Sequence, residues 1–250
     1  MAQKLLILGS SGTGKSHSIK YLNPATTVVL CPDRKELPFK GSTKLYKTIY
    51  KEGTKEFSGA KSNFIPVNTM KEVRRLVNMI ATKRPEITAV VIDTITYAMI
   101  DSVMRELKTK GFDKFSEFAD ELYQLLNDIP NLRDDLTVVF MAHTENDSVD
   151  GVAVISFKIP AGKFTREKIV PEGLFTIVLY TDSVMVDGKP TYFFTTQNSG
   201  VNTCKSPEGM FPDLRIENNL QYVLDCIQAY YQDELLPAPK MVRIAEEAIF

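Results

Sequence analysis

The chain has 250 residues, 44% of them hydrophobic, enough to bury one large core in a single α/β domain. Lys and Arg number 30 against 31 Asp and Glu, a net charge of −1, so no bulk basic character advertises nucleic acid. Three widely spaced cysteines (Cys31, Cys204, Cys226) and two histidines (His17, His143) exclude a disulfide framework, a four-cysteine zinc site and a histidine-rich metal centre. The first apolar run is too short for a signal peptide, and no uninterrupted apolar stretch is long enough to span a bilayer. A protein of the cytoplasm without membrane contact is expected.

Taken in chain order, the first signal is "KLLIL", a strand-type run, followed by "GSSGTGKS" at residues 9–16 and by "KSHSIKYL", which reads as the opening of a helix. Gly, four residues and Gly-Lys-Ser spell the P-loop. Gly9, Gly12 and Gly14 allow a tight turn whose N–H groups, with Ser10, Ser11, Thr13 and His17 alongside, wrap a phosphate. Lys15 would reach the β- and γ-phosphates of ATP, and the Ser16 hydroxyl would help hold Mg²⁺.

"TTVVLC" is the next strand and leads to Asp33 and Glu36, carboxylates placed to orient the attacking water. Residues 38–66 are rich in Lys, Gly and Ser with weak periodicity and read as a mobile excursion, not a second domain. "MKEVRRLVNMI" puts Val73, Leu76, Val77 and Ile80 on one helical face. "AVVIDT" is an apolar strand ending in Asp93, the second carboxylate a P-loop needs for its Mg²⁺. Thr94 follows, where many motor ATPases carry a glutamate, so the base must come from elsewhere. "DKFSEFADELYQLLNDI" repeats Phe115, Phe118, Leu122, Leu125 and Ile129 at helical spacing. "LTVVFMAHTE" ends a further strand in His143, placed to sense a γ-phosphate at the C-terminal edge of an open sheet.

The later part changes character. "LFTIVLYT" and "TYFFTTQ" flank an Asp-Gly pair, a hairpin signal that adds antiparallel strands at one edge of a mostly parallel sheet. "NNLQYVLDCIQAYYQDELL" is a closing helix, and with its tail it fills residues 217–250 of the single domain 1–250.

Together "GSSGTGKS", "VVIDT", "VVFMAHTE" and "TTQNSGVNTCKSPEGMF" resemble the compact RecA-like ATPases of bacteriophages, the Sak-type single-strand annealing group, over roughly residues 3–231. The resemblance implies a RecA-like P-loop NTPase core, ATP with Mg²⁺, assembly into a homo-oligomeric ring or filament, and work in DNA recombination, annealing or replication in the host cytoplasm. It also implies single-stranded DNA and a single-strand-binding protein as partners. By the same resemblance Lys205, with Lys163 or Arg166 second, is the cation a neighbouring subunit would supply to ATP. The chain departs from the group in having Asp33 where a glutamate is expected and no basic loop between Glu145 and Ile159. Two other readings stay open: a nucleotide-gated adaptor such as a helicase loader, and a small-molecule kinase in which Lys163, Arg166 and Lys168 form a lid.

Overall fold

The computed structural model describes residues 1–50, 58, 61–106, 113–149, 152–160 and 170–238. Eight strands form one sheet: β1 (Gln3–Leu8), β2 (Thr27–Cys31), β3 (Phe64–Pro66), β4 (Ala89–Asp93), β5 (Thr137–Ala142), β8 (Ile177–Val186), β9 (Lys189–Thr195) and β10 (Arg215–Glu217). β6 (Thr144–Val149) and β7 (Val152–Phe157) make a separate antiparallel hairpin. Across the sheet the order is β10-β9-β8-β1-β5-β4-β2-β3. Pairing is parallel from β8 to β3 and antiparallel among β8, β9 and β10. This is the expected α/β P-loop core, a mostly parallel sheet with antiparallel strands at one edge.

The strands are apolar at successive positions because both faces of the sheet are covered. Leu6, Leu8, Val90, Ile92, Val138 and Phe140 point to one side, where they meet α2 (Met70–Lys83), α3 (Ile95–Glu106) and α4 (Asp113–Asp128). Leu5, Ile7, Val91, Val139 and Met141 point to the other, against Ile19 and α5 (Leu220–Gln232). Val73, Leu76, Val77 and Ile80 of α2 are buried as their spacing predicts, as are Phe118, Leu122, Leu125 and Ile129; the Phe115 side chain lies outside the described residues. Thr69 caps α2 by accepting the Glu72 N–H at 3.3 Å, and Asn219 caps α5 by accepting the Tyr222 N–H at 3.1 Å. Asp187 and Gly188, at φ 50° and 71°, make the tight turn between β8 and β9 that the Asp-Gly pair predicts.

One expectation is refined and two are corrected. The helix expected after the P-loop is a six-residue 3₁₀ helix, Ser16–Tyr21. It stops because Pro24 bars helical backbone at Asn23, and Leu22 has already turned extended at ψ 150°. The described parts of residues 38–66 are built into the fold: Ser42–Leu45 forms α1, Tyr46 is buried, and β3 adds a parallel edge strand to β2. Residues 51–57, 59 and 60 of that stretch lie outside the described residues. The β6–β7 hairpin occupies the segment where no element was foreseen. The tail beyond residue 238 also lies outside the described residues.

Phe140 on central β5 is 1% exposed and packs edge-on against Phe175 at 5.4 Å. Phe140→Ala is expected to destabilise the protein by about 3–5 kcal/mol, checked by urea unfolding of the two proteins.

Candidate functional site

β1, β2, β4 and β5 run parallel, so their C-terminal ends open on one edge of the sheet, where ligands gather in folds of this class. A cleft of about 300 Å³ lies there. Its floor is the P-loop: Ser11, Gly12, Gly14, Lys15, Ser16 and His17. β2 and its following loop contribute Asp33, Lys35, Glu36 and Pro38; β4 and α3 contribute Asp93, Thr94 and Tyr97; β5 contributes His143. Tyr192 of β9 closes one side.

The P-loop is fastened from beneath. Gly9 N–H donates to the Ala142 carbonyl at 3.2 Å, joining β1 to β5 where both end. Thr13 and Thr181 hydroxyls lie 2.7 Å apart, and Thr13 also donates to the Ser10 carbonyl at 2.9 Å. A Cβ at Gly9 would meet the Thr181 hydroxyl at 2.2 Å, so only glycine lets β8 approach this closely. Gly14 sits at φ 103°, and a Cβ there would fall 2.8 Å from the Tyr192 ring. Thr13 thus faces away from the cleft, while Gly9 and Ser10 shape the loop without lining it.

Charge is concentrated and buried. The Lys15 ammonium, 6% exposed as a residue, donates to the loop's own carbonyls at Gly9 (2.6 Å) and Ser10 (2.8 Å). Burial lowers its pKa to about 8, with Asp93 opposing the shift. Asp93 accepts the Ser16 hydroxyl at 2.8 Å and the Thr94 hydroxyl at 3.2 Å. Burial raises its pKa to about 6, the Asp33 charge adding to this and the Ser16 and Thr94 hydrogen bonds and Lys15 opposing it. The cleft therefore holds a cation facing the loop and an undersolvated carboxylate beside a hydroxyl. That donor pair fits Mg²⁺, which takes one or two protein oxygens and completes its octahedron with water and phosphate. Among the described residues no group of three or more His, Cys, Asp or Glu is arranged as a metal cage.

Asp33 is tethered: the Cys31 thiol (3.1 Å) and the Lys35 N–H (3.2 Å) both donate to Oδ1, and the Lys35 ammonium lies 3.4 Å from Oδ2. Glu36 is exposed on the rim. The His143 ring meets Tyr97 edge-on at 5.5 Å. Burial and the nearby positive charges of Lys15 and Lys158 lower the His143 pKa, a hydrogen bond to the Gly9 backbone and the charge of Asp33 acting the other way. Its backbone N–H donates to the Thr96 hydroxyl at 3.0 Å.

The structure thus gathers Lys15, Ser16, His17, Asp33, Glu36, Asp93 and His143 into one cleft. Lys205 is not among them. Its backbone pairs with Val178, the second residue of β8, and it does not line the cleft. Lys163, Arg166 and Lys168 lie outside the described residues. Sequence reasoning missed Lys35, Tyr97 and Tyr192. Tyr97 has a local signal, one helical turn beyond Asp93, whereas Tyr192 has none. Among the described residues no helix is long and apolar enough to cross a membrane.

A protein-family model described as an AAA domain matches residues 1–207. No curated protein matches the chain. Among solved structures, the chain is similar to a KaiC-like protein, PH0186, from the hyperthermophilic archaeon Pyrococcus horikoshii OT3. The identity is 10%, covering 77% of this chain and 76% of that one at a TM-score of 0.43.

The raised pKa of Asp93 has a consequence for stability. Its folded pKa of about 6 lies above the ordinary carboxylate value of 3.8, so the ionised side chain opposes folding. That cost is absent below the unfolded value and complete above the folded one. Asp93→Asn, neutral at every pH, should therefore raise the stability of the nucleotide-free protein by up to about 3 kcal/mol at pH 8 and by almost nothing at pH 4. Chemical denaturation at the two pH values measures the difference.

Proposed function

The chain belongs to the AAA domain family AAA_24, a P-loop ATPase family, and on that premise we propose that it binds Mg²⁺ and ATP in the cleft and hydrolyses ATP to ADP and phosphate. One observation carries this reading: the ends of four parallel strands bring Lys15 and Ser16, Asp33, Asp93 and His143 to a single cleft.

The P-loop amides and the Lys15 ammonium hold the β- and γ-phosphates, Lys15 exchanging its bonds to the Gly9 and Ser10 carbonyls for phosphate oxygens. Ser16 and Asp93 would hold Mg²⁺, which when bound would supply positive charge to the phosphates. Asp33 orients the water. The water oxygen bonds to the γ-phosphorus as the bond to the β,γ-bridging oxygen breaks, ADP keeps that electron pair, and the water's proton passes by way of Asp33 to the phosphate released. His143, neutral near pH 7 because its pKa is lowered, reads the γ-phosphate by a hydrogen bond. It lies next to the β6–β7 hairpin, whose strands meet at His143 through the Lys158 N–H (2.9 Å). The Ser10 and Thr144 hydroxyls, 3.3 Å apart, tie the hairpin to the P-loop as well. A change at the γ-phosphate has a short path to the hairpin.

We assign this ATPase to DNA recombination, annealing or replication, as a phage-type RecA-like homo-oligomer acting with single-stranded DNA and a single-strand-binding protein. The resemblance of its motifs supports that role. The hairpin does not add to it, since residues 144–149 and 152–157 carry Glu145 and Asp147 and no Lys or Arg. A nucleotide-gated adaptor with slow turnover is the second reading, favoured by Thr94 in place of a glutamate.

Lys15→Ala should abolish turnover with the fold retained, which steady-state phosphate release and circular dichroism test together. His143→Ala should still bind ATP yet lose the difference in assembly between ATP and ADP, read by light scattering. Stimulation of turnover by single-stranded DNA supports the recombination role; an ATP-dependent assembly indifferent to DNA supports the adaptor.

A further inference from the structure

Among the described residues lining the cleft, Lys15 and Lys35 are the only Lys or Arg side chains. Opposite them stand three carboxylates, Asp33, Glu36 and Asp93. A triphosphate entering this cleft meets more negative than positive protein charge, even with Mg²⁺ shared between it and Asp93. Lys15 serves the loop side. The wall formed by β2 and α3 needs a cation of its own, and Lys35 stands there.

Its placement is specific. Arg34, at φ 57°, turns the chain so that neighbouring side chains part: the Arg34 guanidinium hydrogen-bonds Asn68 outside the cleft, while Lys35 points in. The Lys35 ammonium lies 5.4 Å above the Tyr97 ring, and that ring meets His143 edge-on at 5.5 Å. Lys35 therefore reaches across the cleft from the β2 loop to α3, on the side where Asp93 and His143 mark the γ-phosphate. Its backbone is anchored because the Lys35 N–H donates to Asp33 Oδ1. The ammonium is not: its side chain is 70% exposed and its pair with Asp33 Oδ2 spans 3.4 Å, the kind of contact that contributes little and exchanges readily.

Building on the ATPase reading above, we propose that Lys35 is the second cation of the γ-phosphate, supplied by the same subunit that holds the nucleotide. When ATP enters, the Lys35 ammonium leaves Asp33 Oδ2 for a γ-phosphate oxygen. Oδ1 stays held by the Cys31 thiol and the Lys35 N–H, so Asp33 keeps its orientation while Oδ2 becomes free to accept a hydrogen bond from the attacking water. One exchange places a positive charge on the γ-phosphate and unmasks the carboxylate beside it. ADP, lacking the γ-phosphate, leaves the Lys35–Asp33 pair closed. Tyr97 keeps the ammonium over the cleft in both states.

The test compares wild type with Lys35→Ala, Lys35→Gln and Lys35→Arg, measuring ADP affinity, affinity for a non-hydrolysable ATP analogue, and turnover. The side chain is exposed, so all three should fold, and their melting temperatures check this. ADP affinity should stay at the wild-type value in every variant. Ala and Gln should lose the preference for the ATP analogue over ADP by about tenfold or more and slow turnover by about 10³-fold or more, the lower end of what an arginine finger contributes. Arg should restore part of both. Lys35→Ala mixed with Lys15→Ala should show no recovery, because both lysines act in one cleft. Wild-type turnover and ATP preference in Lys35→Ala, or recovery on mixing, would overturn the assignment while leaving the ATPase reading standing. A wild-type protein that binds neither ADP nor the ATP analogue would overturn that reading and this one with it.

Discussion

Lys15 and Asp93 are opposite charges buried in the same cleft without closing on each other. Lys15 donates hydrogen bonds to the carbonyls of its own loop, and Asp93 accepts the hydroxyls of Ser16 and Thr94. Neither is well compensated, and both pKa values move toward the neutral form. A phosphate on the lysine and a divalent cation on the carboxylate would relieve both at once. The nucleotide-free fold holds this arrangement with the surrounding core, because an undersolvated carboxylate works against folding by itself.

The sheet order holds those charges in place. β5 lies between β1 and β4, so the P-loop and Asp93 are kept one strand apart and His143 emerges in the gap between them. The Gly9 N–H to Ala142 carbonyl bond ties the start of the P-loop to the end of β5. The loop cannot shift without β5, and the β6–β7 hairpin begins two residues after β5 ends. The apolar strands around it, buried on both faces by α2 to α4 on one side and α5 on the other, make the platform stiff.

Much of this site was legible in the sequence because it is spelled locally. The P-loop is eight consecutive residues that spell one motif, Gly, four residues and Gly-Lys-Ser. Asp33, Asp93 and His143 each stand just after an apolar run, and in a parallel sheet every such position faces the same edge. The helices α2, α4 and α5 announce themselves by periodicity, and the β8–β9 turn by Asp187-Gly188. The helix after the P-loop was legible as a helix, but six residues are too few to separate one helix type from another. β3 was missed because three residues cannot display a period, and only the neighbouring β2 makes Phe64–Pro66 a strand.

From the sequence alone came the α/β class, the phosphate-binding loop and the strand-end residues, since each depends on a few adjacent side chains. Tertiary structure alone decided which distant residues complete the cleft and which stay out. Tyr192 reaches Gly14, Thr181 closes on Gly9, Lys35 settles over Tyr97, and Lys205 is carried to the start of β8, outside the cleft lining. These placements follow from strand order and register, which are set by the packing of the whole sheet. No local stretch of chain encodes them, because each joins segments whose only common cause is the core between them.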